Sequence, residues 1–173
     1  EYESTLDVWD EQLAAYGVQV MQHRSQFIEQ LNGIIGKIHQ DLTGGKEELI
    51  ISYEPNTSPE AFAGVLFKNR EQDKKQKTTL SGPHRDDMSF LINGIDIRRF
   101  GSQGQQRSAA LSLKLSEIEL VKSLIHDYPI LLLDDVLSEL DSSRQNHLLS
   151  SIHHIQTMIT CTGLDDIVEH RFH

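Results

Sequence analysis

Long apolar runs are missing from this sequence. No stretch approaches the ~20 consecutive apolar residues needed to span a bilayer. The chain opens on Glu1 and Glu3 instead of the basic and apolar regions of a signal peptide. Cysteine is nearly absent too: Cys161 stands alone and cannot close an internal disulfide, which removes the usual mark of a secreted scaffold. These features predict a cytoplasmic protein with no membrane association. An initiator Met is lacking, so a chain cut on its N-terminal side is expected. Positive charge is in short supply, with 16 Lys and Arg against 26 Asp and Glu and a formal net charge of −10. That balance argues against this segment alone being a strong DNA binder, because non-specific DNA affinity comes mostly from Lys and Arg neutralising phosphates. The exception is a local basic run, Lys68, Arg70, Lys74, Lys75 and Lys77, diluted by Glu71 and Asp73. It reads as a solvated helix face or loop. Repeats and low-complexity segments do not occur.

What is present suits one domain, or a lobe with a small subdomain: 173 residues, 38% of them hydrophobic. Leu6, Trp9, Leu13, Tyr16, Val20, Phe27, Leu31, Ile34 and Ile38 recur at spacings of three, four or seven and predict an amphipathic helix, or two in line, over about 5–42. His23 falls in that stripe and reads as a seam residue. Gly17, Gly33 and Gly36 threaten its continuity, and Thr43-Gly44-Gly45 stops it. Glu48 to Tyr53 is strand-like. Ser58-Pro59-Glu60 predicts the start of a second helix, with Ser as cap and Pro at the first position, running to about Lys75.

The pattern changes near Thr78. A strand over Met88–Ile92, an Asn93-Gly94 hairpin turn and a return over Ile95–Arg98 are expected. A helix follows from about Gln105 to His126, apolar over most of its circumference except for a stripe of Ser112, Ser116, Glu119 and Ser123. Ile130-Leu131-Leu132-Leu133 suits a central strand of a covered sheet. Asp141 caps a helix to about Ile152, and Thr157–Thr162 reads as a further strand. The expected architecture is α/β: a helical subdomain at 1–77 and part of an α/β domain at 78–173.

Three segments carry chemistry. The apolar strand ends in Asp134 and Asp135; the first acid can hold Mg²⁺, directly or through water, and the second can position or deprotonate an attacking water. Alone this is weak, since ordinary strands often end in acids. Six residues after Asp135 comes Asp141, within Leu137-Ser138-Glu139-Leu140-Asp141. Upstream, Gly101-Ser102-Gln103-Gly104-Gln105 opens the long helix. Ser102 offers a hydroxyl, Gly104 lets backbone approach a ligand, and the helix start presents N–H groups and a positive dipole end, as an anion site requires. Read without the downstream acids, the segment is better taken as an ordinary glycine-containing helix cap.

Taken together, these segments resemble the signature, Walker B and D-loop of ABC-type ATPases. The fuller text is similar to the RecF family of bacterial replication and recombinational-repair proteins. The likeness rests on Val8-Trp9-Asp10-Glu11-Gln12-Leu13, Ser81-Gly82-Pro83-His84-Arg85-Asp86-Asp87, Asn93-Gly94, Arg99-Phe100-Gly101-Ser102-Gln103-Gly104-Gln105-Gln106-Arg107 and Leu133-Asp134-Asp135-Val136-Leu137-Ser138-Glu139-Leu140-Asp141. It spans essentially the whole chain and implies the C-terminal lobe of an ABC-type ATPase head with a helical lid at 1–77. By the same resemblance the intact protein dimerises around ATP on double-stranded or gapped DNA, with RecR and RecO as partners. Ser102, Gln103, Gly104 and Gln105 of one subunit would close over ATP held by the other, Asp134 would hold Mg²⁺, Asp135 would act on water, and Ser138 and Asp141 would lie in the D-loop at the dimer seam.

Two departures qualify the likeness. The Gly-x-x-x-x-Gly-Lys-Ser/Thr phosphate loop does not occur here; in the family it precedes this region, so the 173 residues alone are expected to bind neither ATP nor Mg²⁺ tightly. Many relatives carry His at the switch position, where Thr162 stands here, followed by Gly163. Asp135 replaces the Glu of most ABC ATPases, so slow turnover is expected. His84 and Arg85 are candidates for a family-specific role or for a hydrogen-bonded polar turn. An alternative from another class is a non-catalytic interaction module derived from such a head. A transporter ATPase is disfavoured by the lid and by Ser81-Gly82-Pro83-His84-Arg85.

Overall fold

The computed structural model describes residues 2–161. Its first element, α1 (Tyr2–Thr43), is one continuous helix. It stops where Gly44 and Gly45 take φ of +67° and +76°, a region open to glycine without a Cβ penalty. The glycines inside α1 do not break it, and Gly17 has a packing role. A Cβ there would lie 2.4 Å from a ring carbon of Phe62. Gly82 meets the same ring from the other side, with Cζ 2.9 Å from where its Cβ would be. Phe62 is thus fully buried between α1, its own helix and the Gly82 turn, next to Met21 and Leu66.

The buried face of α1 is not the one that its aromatic residues suggest. Met21, Ile28, Leu31, Ile35 and His39 point inward, whereas Trp9 and Tyr16 are 57% and 67% exposed and Leu13, Val20 and Phe27 are exposed as well. Leu31 alone of the expected stripe is fully buried. The largest side chains gave the strongest periodic signal, but the packed face lies about one residue further round, where Gly17 permits close approach.

A short strand, β1 (Leu49–Glu54), follows. Helix α2 (Phe62–Gln76) begins later than expected, because Ser58-Pro59-Glu60 form a turn before it and Ser58 accepts from the Ala61 N–H. β1 pairs antiparallel with β2 (Asp87–Ile92), from Leu49 opposite Ile92 to Glu54 opposite Asp87. The sheet therefore joins the residues before 77 to those after it. Asn93 and Gly94, both at positive φ, turn β2 into β3. β3 is only Ile95–Asp96, not the four-residue return expected. Asp96 accepts from the Arg98 N–H and starts a helical turn, α3 (Ile97–Phe100), in place of further strand.

Helix α4 (Gln103–Ile125) packs along α1. Its buried side includes Ser108, Ser112 and Ser116, so half of the expected polar stripe, Ser112 and Ser116, faces inward, while Glu119 and Ser123 are exposed along with Leu124 and Ile125. Ser108 and Ser116 donate to the carbonyl four residues back, and Ser112 Oγ lies within hydrogen-bond reach of both the Ser108 carbonyl and the His39 ring, to one of which its single proton goes. One core joins α1, the three-stranded sheet and α4; a second joins α4 to β4 (Leu131–Asp134) and α5 (Ser142–Ser151). β4 pairs in parallel with β5 (Thr157–Thr160). Here the expectation of a central, covered strand is corrected: among the described residues β4 has one neighbour. Leu132 is 69% exposed, and an open apolar groove of about 680 Å³ runs between α4 and β4. No helix among the described residues is long and apolar enough to cross a membrane.

The segment Ser81–Asp87 is tied down by Asp86. Its side chain is 1% exposed and accepts from Tyr53 Oη, from the Asn56 N–H at 2.9 Å and from Arg24 at 3.2 Å. Burial, and then the Asp86 carboxylate, push the Tyr53 phenol up to about 12. Arg24 also donates to the Pro83 carbonyl. Asp86→Ala leaves three donors without their acceptor, and a loss of about 3 kcal/mol is expected in urea unfolding. A loss under about 1 kcal/mol would show that this acid does not hold the turn.

Candidate functional site

The site is built on two helix starts and one strand end. Ser102 is the cap of α4: its hydroxyl accepts from the Gln105 N–H at 3.2 Å, and its own N–H donates to Gln105 Oε1 at 3.0 Å. This reciprocal pair is a capping box. In an α-helix the first N–H groups have no acceptor within the helix. The box takes that of Gln105 and leaves those of Gln103 and Gly104 at an exposed end. A Cβ on Gly104 would meet nothing nearer than Ser102 Oγ at 3.9 Å, so its backbone lies open. Gln105 differs from its neighbours: its side chain turns inward, and Nε2 donates to Glu47 Oε1 at 3.0 Å.

Glu47 belongs to the turn after α1. Its second oxygen lies 3.2 Å from Nε2 of His39, a fully buried ring whose Nδ1 is 2.9 Å from Ser112 Oγ. Burial holds the imidazole below its ordinary value, and Arg144 adds to this; Glu47 opposes both. The ring is therefore neutral at neutral pH, donating from Nε2 to Glu47 and accepting at Nδ1 from Ser112. Neither His39 nor Glu47 stands out in the sequence reading. The available signal was the series Leu31, Ile35, His39, which places the histidine on the packed face of α1.

Asp141 caps α5, accepting from the Arg144 N–H at 3.0 Å. Those contacts and the Arg144 guanidinium hold its carboxyl below the usual range. Arg144 pairs with Asp141 and reaches across to Ser108 Oγ at 2.9 Å, on the second turn of α4. The start of α5 is in this way fastened to the start of α4.

Asp134 and Asp135 sit together at the C-terminal end of β4, and both are exposed. Thr160 donates its hydroxyl to Asp134 Oδ1. The Asp135 N–H donates to the Thr160 carbonyl at 3.1 Å, and the residue takes φ +52°, a conformation that Asp tolerates better than most. Ser138 Oγ donates to the Asp135 carbonyl at 2.8 Å. The expected residues thus fall into two groups, Ser102–Gln105 with Asp141 and Asp134–Asp135 with Ser138. No described hydrogen bond joins them. Thr162 lies outside the described residues. Of the two turn residues, His84 bonds the Thr79 carbonyl at 2.8 Å and Arg85 is exposed.

Two of the five residues of the basic run are held in ion pairs. Arg70 pairs with Asp7 at 2.7 Å and Asp10 at 2.5 Å, and Lys74 with Glu71 at 2.8 Å. It is a solvated face with partners of its own.

Among known proteins, no family model matches the chain. It is 56% identical over 168 residues to a DNA replication and repair protein RecF of Agathobacter rectalis, covering 97% of the chain and 46% of that relative. A RecF of Clostridium botulinum is 48% identical over 168 residues, covering 94% of the chain and 46% of its own length. Among solved structures, the recombination mediator protein RecF-ATP in the RecFOR pathway superposes with a TM-score of 0.82 at 36% identity, covering 95% of this chain and 47% of that one. The chain spans about half the length of the curated relatives it matches.

Proposed function

By sequence and fold this chain is a segment of the RecF family, and we propose that in the full-length protein it forms the signature-bearing lobe of an ATP-dependent DNA-binding protein of recombinational repair. The observation that carries the reading is the open start of α4. Ser102, Gln103 and Gly104 present a hydroxyl and two unclaimed backbone amides on an exposed surface, beside the Asp141 end of α5. Backbone amides at a helix start stabilise an anion through partial charge and geometry together. In the proposal that anion is the terminal phosphate of ATP held by a second subunit, with Gln105 completing the turn. Residues 1–77 act as the lid and 78–173 as part of the ATPase head. Asp141 and Ser138 form the seam between subunits, and Thr162 holds the switch position.

Asp134 fits a magnesium role. One carboxylate oxygen accepts from Thr160, and the exposed side chain keeps a second for a cation or its water. Mg²⁺ is held by one or two carboxylates together with phosphates and water, so a single exposed acid is enough for the role. Bound there, the cation would neutralise phosphate charge. Asp135 would orient the attacking water. Double-stranded or gapped DNA, RecO and RecR, a homodimer and the cytoplasm complete the proposal. RecO and RecR are supported by the RecFOR pathway named for the matched structure; the DNA type, the homodimer and the cytoplasm follow from the family resemblance.

The purified 173-residue chain is expected to hydrolyse no ATP above background, because it has no phosphate loop to cradle the nucleotide. The full-length protein is expected to hydrolyse ATP slowly and to dimerise with it on gapped DNA. Magnesium-dependent turnover by the 173 residues alone would place the site elsewhere, and a full-length protein that never dimerises with ATP would favour the interaction-module alternative.

A further inference from the structure

The start of α4 is held from behind by a chain of hydrogen bonds that reaches the lid helix. Gln105 carries an amide with two different ends. Oε1 must accept from the Ser102 N–H and Nε2 must donate to Glu47 for both bonds to form. A carboxylate accepts only, so Glu47 fixes which way the amide faces. Glu47 is in turn oriented by His39, whose ring is fully buried and bonded to Ser112 on the third turn of α4. The carboxylate is 22% exposed and lies between α1 and α4, so its geometry follows how those helices pack.

We infer that Glu47 and His39 are positioning residues for the nucleotide-facing start of α4, transmitting the position of the lid helix α1 to Ser102 through Gln105. This rests on the proposed signature role of Ser102–Gln105. Neither residue touches the ligand. Glu47 sets the Gln105 amide, the amide holds the Ser102 N–H, and Ser102 keeps its hydroxyl on the helix end. The groups facing His39 are Glu47 from the turn after α1, Ser112 from α4 and Arg144 from α5. The arrangement is built for a neutral ring between an acceptor and a hydroxyl.

The test uses full-length protein carrying Glu47→Gln, which keeps the size of the side chain. Its amide keeps an acceptor for Gln105 only by turning its NH₂ toward His39, which forces the neutral ring into the tautomer that accepts at Nε2, and the charge of the acceptor is lost in either case. The ATP concentration for half-maximal dimerisation, followed by sedimentation, is expected to rise about tenfold, the effect of one charge-assisted hydrogen bond. Nucleotide binding by a single subunit and the thermal midpoint are expected to stay at wild-type values. Amide exchange at Ser102 and Gln105 should quicken without a matching change in the rest of α4. Glu47→Asp, which keeps an acceptor-only group, should lie nearer wild type. Ser102→Arg is run beside them. If Ser102→Arg blocks dimerisation and Glu47→Gln does not weaken it, the positioning role is overturned and the signature reading stands. If Ser102→Arg dimerises normally, the signature reading fails and the inference falls with it. A Glu47→Gln protein that loses stability and single-subunit binding together would show a merely structural role, and would also overturn it.

Discussion

Ser102→Arg in the full-length protein is expected to abolish ATP-driven dimerisation while leaving nucleotide binding by one subunit nearly intact. Ser102 caps α4 at an exposed end, and nothing within the described structure crowds Gly104 beside it. An Arg side chain therefore has room to stand outward, over the surface where a second subunit would approach. Two changes are made at once, since the cap is lost as well as the surface blocked. Loss of an N-cap hydroxyl costs about 1 kcal/mol. Ser102→Ala separates them: it removes the cap but adds no bulk, and should dimerise at a somewhat higher ATP concentration. Sedimentation with and without ATP, together with a nucleotide-binding titration, reads both. A Ser102→Arg protein that dimerises like wild type would end the assignment of this helix start to a nucleotide-facing role.

The start of α4 was legible in the sequence because its chemistry is local. Gly101-Ser102-Gln103-Gly104-Gln105 marks a helix start without tertiary information, and the structure adds that Ser102 and Gln105 close a capping box there. Asp141 at the start of α5 and the Asn93-Gly94 turn were legible for the same reason. What depends on packing was not. The inward face of α1 is chosen by where Phe62 meets Gly17, a contact 45 residues away, so the aromatic stripe from Trp9 to Phe27 pointed to the wrong side. Ser112 and Ser116 look like part of a polar stripe until α1 is laid against them. Glu47 in a turn and His39 on a helix acquire meaning only when both reach α4. The Ile130–Leu133 run was read as covered on both sides, and its open edge with exposed Leu132 belongs to a chain that spans half of its relatives' length.

Asp135→Asn should give the opposite phenotype to Ser102→Arg: dimerisation with ATP retained, hydrolysis slowed by about a hundredfold or more, the range for loss of a positioned acid–base group. The argument is that the side chain is free of structural duty. Among the described residues, what Asp135 contributes to the fold is backbone: its N–H bonded to Thr160, its carbonyl accepting from Ser138, and φ at +52°. Asn supplies the same N–H and carbonyl and tolerates the left-handed conformation as well as Asp does. The substitution therefore removes one negative charge and the capacity to take a proton, and little else. Asp134 keeps its contact with Thr160, so the neighbouring acid stays in place. Single-turnover hydrolysis measured beside sedimentation distinguishes the outcomes. If Asp135→Asn hydrolyses ATP at the wild-type rate, water is activated elsewhere. If it fails to dimerise, Asp135 acts in holding the subunits together and not in the chemistry.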